Sequence, residues 1–283
     1  MRHLTFSAPG DAAPRLGVLE GERVFSVREP GTLLDLIRRG GAGAAGRGQD
    51  YRIDDIRWHA PIPRPSKNVF CVGRNFLTHI EEGARARGVD VKLPDAPVFF
   101  TKPPTAVSGP FDEIPWDRTV THQVDWEAEL GVVIGRSGRN IPRSAALDHV
   151  FGYTVVNDVT ARDVQKNHFQ FFKGKGLDGF CPIGPVVVTA DEFGHPQGKQ
   201  ITLKVNGVIK QNGNTRDMIF AVDAIIASLS HGLTLEAGDI IACGTPDGVG
   251  FARTPPEFLQ DGDVMDTSID GIGAMRNRIA AHS

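Results

Sequence analysis

The chain of 283 residues carries a net charge of −3, with 40% hydrophobic and 23% charged residues, a globular balance able to bury a full core unaided. Basic residues never cluster beyond a pair or two, which argues against a nucleic-acid partner, and no apolar run approaches the length of a bilayer span. The three scattered cysteines, Cys71, Cys181 and Cys243, fit free thiols in a reducing compartment rather than zinc or disulfide frameworks, so the expected location is cytoplasmic, away from membranes.

Short strands are expected at residues 3–6, 15–19 and 23–27, with Gly21-Glu22 turning the second into the third. Thr32 is placed to cap a helix over 33–39, which Gly40-Gly41 ends. Gly41-Ala42-Gly43-Ala44-Ala45-Gly46 matches GxGxxG but follows a helix, so it reads as a loop and not as a dinucleotide site. A proline-rich stretch at 60–65 marks a boundary between a small N-terminal α+β domain, 1–62, and a main domain, 63–283.

The main domain opens with the strand Asn68-Val69-Phe70-Cys71-Val72-Gly73, followed by a helical stretch from Phe76 to Arg87. Further strands are expected at 97–102, 126–135, 151–157, 184–189, 201–206 and 239–243, and a helix at 217–230. Strands outnumber helices and many are separated only by turns, which predicts a mixed, mostly-β α+β core rather than a doubly wound parallel sheet.

Four segments carry possible chemistry. If residues 125–134 form one strand, Asp125, Glu127 and Glu129 share a face, and a hard cation such as Mg²⁺, Mn²⁺ or Ca²⁺ would relieve their repulsion. An ordinary solvent-facing edge strand is the alternative. Asp158 follows an apolar strand and offers a third ligand, or else caps a short helix holding Arg162 and Gln165. His79 and Glu82 are three apart on a helix, a spacing that suits a general base oriented by a carboxylate and also occurs on plain exposed helices. The loop Gly244-Thr245-Pro246-Asp247-Gly248-Val249-Gly250 can offer backbone N–H groups to a carboxylate or be a structural turn. Lys175 is a cation for an anionic substrate or a surface lysine.

In this order the pieces resemble the fumarylacetoacetate hydrolase family over about residues 66–279. The resemblance rests on Val72-Gly73-Arg74-Asn75 with His79 and Glu82, Lys102-Pro103-Pro104-Thr105-Ala106, and Asp125-Trp126-Glu127-Ala128-Glu129-Leu130. It continues through Asn157-Asp158-Val159-Thr160-Ala161-Arg162-Asp163-Val164-Gln165, Lys175 ahead of Cys181-Pro182-Ile183-Gly184-Pro185, and Gly244-Thr245-Pro246. It implies a mixed β-roll, a homodimer, and Mg²⁺ or Mn²⁺ on Glu127, Glu129 and Asp158. It further implies a His79–Glu82 dyad on a mobile lid helix, Lys175 near the substrate's charged oxygen, and Arg162, Gln165 and Thr245 as substrate contacts. One departure stands out: Gly176 follows Lys175 where many relatives carry serine.

The activity implied is hydrolysis of a C–C bond in an acylpyruvate- or fumarylpyruvate-type 2,4-dioxo acid, through a metal-stabilised enolate. The same site would serve an isomerase of the 2-hydroxyhepta-2,4-diene-1,7-dioate type, or an oxaloacetate decarboxylase. A non-catalytic metal- or carboxylate-binding protein is the alternative from another class.

Overall fold

In a computed structural model, residues 1–29, 31–41 and 46–282 are described. Residues 42–45 of the GxGxxG stretch lie outside the described residues; the chain after them is the strand Arg47–Arg52, not a helix.

The architecture is a mixed β-roll. Its large sheet runs, strand by strand, through Arg47–Arg52, Arg23–Val27, Arg15–Glu20, Arg2–Ser7, Cys181–Thr189, Val150–Asn157, Ala128–Ile134, Ile240–Ala242, Val69–Gly73 and Val98–Lys102. Most neighbours are antiparallel, but Ile240–Ala242 and Val69–Gly73 run parallel. Residues 1–62 join this sheet directly: Arg2 pairs with Val188 and His3 with Val187. A second sheet orders Val208–Asn214, Gln200–Val205, Val264–Ile269, Gly273–His282 and Ile114–Asp117.

Alternation along Ala128–Ile134 sorts its residues between two cores. Leu130 and Val132 pack with Leu203, Met265 and Met275 of the second sheet. Val133 packs with Cys71, Val156, Ile183 and the helix residues Leu33, Leu36 and Ile37. That helix, Leu33–Arg38, begins as expected: Thr32 accepts from the Asp35 amide, and Asp35 accepts from the Thr32 amide in return. A strand buried on both faces has no solvent side. The edge-strand reading of the acidic segment is therefore excluded, because Ala128–Ile134 is wholly buried between Val150–Asn157 and Ile240–Ala242.

Two expected elements differ. The helix over 217–230 is shortened to Val222–Ser230. Met218 instead bridges Phe76, and the amides of Ile219 and Phe220 donate to the Asn75 carbonyl and side chain. Long-range bonds to Asn75 displace the helical turn that Met218 and Ile219 suggested by spacing. The strand expected over 126–135 is also broken, with Val124–Asp125 pairing separately against Thr160–Ala161.

Candidate metal centre

Glu129 leaves the strand on the Val133 face, and Asp158 follows the neighbouring strand directly. The ladder continues past the strand end, with the Asp158 amide donating to the Glu127 carbonyl at 2.8 Å. Asn157 Oδ1 accepts from the Glu127 amide, and Gln211 Oε1 from that of Ala128, so the backbone carrying the acids is fixed from two sides. Carboxylate oxygens of Glu127, Glu129 and Asp158 then lie within 4.8 Å of one another, all three residues buried.

Three cations surround this cluster. Lys175 Nζ donates to Glu127 Oε2 at 2.9 Å, Asp158 Oδ2 at 2.6 Å and Thr160 Oγ1 at 3.0 Å. Arg162 donates to Glu127 Oε1 and Asp125 Oδ2, each at 2.7 Å. Lys102, fully buried, donates to Asp158 Oδ1 and to the Val159 carbonyl. Asp158 is thus held by two lysines rather than capping a helix; the helix Arg162–Asn167 has no side-chain cap.

Asp125 does not share the cluster's face. The break after Val124–Asp125 turns its carboxylate toward Arg162 and the amides of Gly250 and Phe251, at 2.7 and 3.0 Å. It orients Arg162, which in turn holds Glu127.

The electrostatics are uneven. Burial alone would raise the Glu127 carboxyl, but Lys175 and Arg162 hold it far below the usual carboxylate range. Burial raises Glu129 well above that range, and the charges of Asp158 and Glu127 add to the rise. Burial opposes a charged Lys175, yet Asp158 and Glu127 keep it protonated beyond the ordinary lysine value. Burial also pushes the Cys181 thiol up to about 12, so it stays protonated and leaves the carboxylates as ligands.

These residues fit a divalent cation. Glu129 Oε2 accepts from the Gly244 amide at 2.7 Å, while its Oε1 has no hydrogen-bond partner among the described residues. Asp125, Glu127, Glu129 and Asp158 face Lys102, Arg162 and Lys175, four formal negative charges against three positive. A hard divalent cation on these oxygen ligands would turn that net charge of about −1 into about +1.

Glu127 and Glu129 floor a cavity whose walls include His79, Arg162, Gln165, Lys175 and Thr245, with Arg74, Gly83, Arg87 and Phe251 around them. Of the expected site residues, Glu127, Glu129, His79, Arg162, Gln165, Lys175 and Thr245 line this cavity, while Asp158 and Glu82 are bonded to lining residues from behind. His79, on the helix Leu77–Arg87, meets Glu82 through Nδ1 at 2.9 Å, leaving Nε2 free of that bond. Glu82 also accepts from the Gly248 amide at 2.8 Å.

The loop 244–250 differs from expectation in what it holds. Its amides serve the protein's own carboxylates, Glu129, Glu82 and Asp125, rather than standing open for a substrate. Gly244 requires its left-handed φ of 94° for this, and a Cβ there would lie 2.7 Å from Asn75 Cβ. Thr245 lines the cavity while its hydroxyl accepts from Gln211 Nε2 at 2.7 Å. The Gly176 departure has a steric cause: a Cβ would sit 2.8 Å from the Phe172 carbonyl oxygen and 2.9 Å from Pro103 Cδ.

Sequence reasoning passed over Lys102, Gln211, Arg74 and Arg87 as functional residues. For Lys102 a signal existed, a lysine ending the otherwise apolar run of Val98–Lys102. The others carry none, since their roles depend on contacts across the fold.

A mixed β-roll that gathers three buried carboxylates and three cations beside a cavity lined by His79 defines a candidate oxygen-ligand metal site. The sequence model of the fumarylacetoacetate (FAA) hydrolase C-terminal domain matches residues 68–280, and the chain belongs to that family. It is 49% identical over 229 residues to oxaloacetate tautomerase YisK of Bacillus subtilis, covering 81% of this chain and 75% of that protein. A fumarylacetoacetate hydrolase from psychrophilic Exiguobacterium antarcticum superposes with a TM-score of 0.85 at 43% identity, covering 100% of both chains. Maleylpyruvate hydrolase from Sphingobium sp. SYK-6, in complex with manganese (II) and pyruvate, superposes with a TM-score of 0.79 at 31% identity, again over 100% of both chains.

Proposed function

We propose that this protein is a divalent-metal-dependent tautomerase of a small 2-oxo acid of the oxaloacetate type. The observation that carries the reading is His79, bonded to Glu82, lining the same cavity as Glu127 and Glu129 of the three-carboxylate cluster. The similarity to a named oxaloacetate tautomerase favours proton transfer over the C–C hydrolysis expected from the sequence.

Glu127, Glu129 and Asp158 would hold Mg²⁺ or Mn²⁺, which when bound supplies Lewis-acid polarisation of the 2-oxo group. Glu82 fixes the His79 ring through Nδ1, presenting Nε2 as the base that takes a proton from the carbon beside the ketone. The electron pair moves toward the ketone oxygen, and the wall carrying Lys175 and Arg162 favours that developing charge. Return of the proton to oxygen or carbon completes keto–enol exchange with no water consumed. Arg162, Gln165 and Thr245 orient the anion within the same cavity. The proposal includes a homodimer in solution, to be read by sedimentation.

Hydrolysis of an acylpyruvate is the second reading, favoured by the likeness to maleylpyruvate hydrolase. It uses the same base to activate a water. The test is the keto–enol relaxation of oxaloacetate with Mg²⁺, with Mn²⁺ and with chelator, alongside pyruvate release from acylpyruvates. Metal-dependent acceleration lost in His79→Ala by about a hundredfold or more would support the tautomerase. Pyruvate release without tautomerisation would install the hydrolase, and CO₂ release from oxaloacetate a decarboxylase. Retained metal with no reaction on any of these would leave a binding protein.

A further inference from the structure

The cations lining the cavity divide into two sets: Arg162 and Lys175 are matched by the acids of the floor. Two are not. Arg74 and Arg87 both line the cavity, and among the described residues neither guanidinium has a carboxylate partner. Arg74 donates only to a neutral backbone carbonyl, that of Lys92. Its own backbone sits in the left-handed region, φ 58°, a conformation costly for a side-chain-bearing residue unless the surroundings enforce it. Asn75 supplies that enforcement: fully buried, it donates to the Cys243 and Phe220 carbonyls.

Arg87 approaches from the last turn of the helix Leu77–Arg87. Gly83, one turn earlier, clears its path: a Cβ there would lie 2.9 Å from Arg87 Nη2 and 3.6 Å from Phe251 Cζ. The guanidinium carbon lies 5.7 Å from the Phe251 ring centroid, and that of Arg162 lies 4.6 Å from the same ring. Arg87 is exposed overall, yet desolvation, and then the charges of Arg74 and Arg162, lower its guanidinium from its ordinary value. Arg74 and Arg87, neither paired with an acid among the described residues, are like charges that an anionic ligand group would bridge.

We propose that Arg87 and Arg74 are specificity-determining residues that bind a second carboxylate of the substrate, so that the site selects 2-oxo dicarboxylates over monocarboxylates. This rests on the reading of the site as one for an oxaloacetate-type acid, and it adds which residues bind the far carboxylate of that acid and so set the preference for it. The floor binds one end of the substrate and the two arginines bind the other. Because Arg87 shares a helix with His79 and Glu82, a distal carboxylate would also hold the base over the reacting carbon.

The test uses an inert pair differing by that carboxylate, malate and lactate, titrated calorimetrically into Mg²⁺-loaded protein. Malate is expected to bind about tenfold or more tightly than lactate. Arg87→Ala and Arg74→Ala should each bring malate toward the lactate affinity while leaving lactate where it was. Gly83→Ala, which keeps the charge but obstructs the Arg87 guanidinium, should do the same in weaker form. Equal affinities in the wild type, or a malate preference that survives both arginine replacements, would overturn the proposal. A protein that keeps an arginine-dependent malate preference yet does not tautomerise oxaloacetate supports the clamp and removes only the assigned reaction.

Discussion

Glu129 shows the conflict at the centre of the site. Its carboxyl is buried beside Glu127 and Asp158, and the charge of Lys175 and the Gly244 amide offset that cost in part. In the absence of metal this is a destabilising arrangement, of the kind active sites retain at the expense of stability. Glu129→Gln keeps an oxygen for Gly244 and removes the like-charge repulsion. The metal-free variant is therefore expected to be more stable than the metal-free wild type by about 1 kcal/mol. Added metal should reverse the order. A ligand at a hundred times its dissociation constant stabilises the wild type by about 2.7 kcal/mol, and a variant lacking one carboxylate should gain far less. Thermal melts of both proteins with chelator and with Mg²⁺ read this crossing directly. A variant less stable than wild type without metal would show that Glu129 is held by something other than a cation.

At the scale of elements, the helix Leu77–Arg87 is the weakly anchored part of the site. It buries Ile80, Gly83 and Ala84, and its N-terminus has no side-chain cap. Glu82 ties it to the 244–250 loop by accepting from Gly248 while also holding His79. Glu82→Ala removes both bonds together. Amide exchange over 77–88 and 247–250 is expected to rise about tenfold, while the strand Ala128–Ile134 keeps its protection. Turnover should fall through kcat, since the base loses its orienting partner. Unchanged exchange in both segments would mean that the helix is held by its packing alone.

What the sequence made legible follows the range of the forces involved. Local signals sufficed for the Thr32 helix cap and for the strands Arg2–Ser7, Arg15–Glu20 and Arg23–Val27. Ordered motifs brought out Glu127, Glu129, His79, Arg162 and Lys175, which line one cavity, and Asp158, which joins the carboxylate cluster behind it. Period-two spacing misplaced Asp125, because the chain breaks its strand after that residue to pair with Thr160–Ala161. Helical spacing overextended the helix at 217–230, because Asn75, more than 140 residues away in sequence, claims the Ile219 and Phe220 amides. The strand that Lys102 ends hinted at its burial, but its role was not legible, because nothing near it in sequence announces Asp158 as its partner.

For the whole molecule, the seam between the N-terminal strands and the rest of the large sheet carries a pH dependence. His3 sits on Arg2–Ser7, paired with Val18 on one side and Val187 on the other. Its ring is fully buried, has no hydrogen-bond partner at either nitrogen, and lies 5.7 Å from the Phe151 ring. Burial, and then the charge of the N-terminal amino group, lower its pKa from 6.5 to about 4, with Glu192 opposing weakly. The ring is therefore neutral in the fold and readily protonated in the unfolded chain. Between pH 6.5 and about 4 the unfolded chain binds the extra proton, so the His3 contribution is fully present above 6.5 and is lost as pH falls through that window. The full loss corresponds to about 3 kcal/mol. His3→Phe keeps an aromatic ring against Phe151 and has nothing to protonate. Urea unfolding at a series of pH values should show the wild type losing this stability between pH 6.5 and about 4 and the variant losing correspondingly less. Parallel pH profiles would place the acid sensitivity elsewhere and would mean that the seam opens enough to solvate the imidazolium.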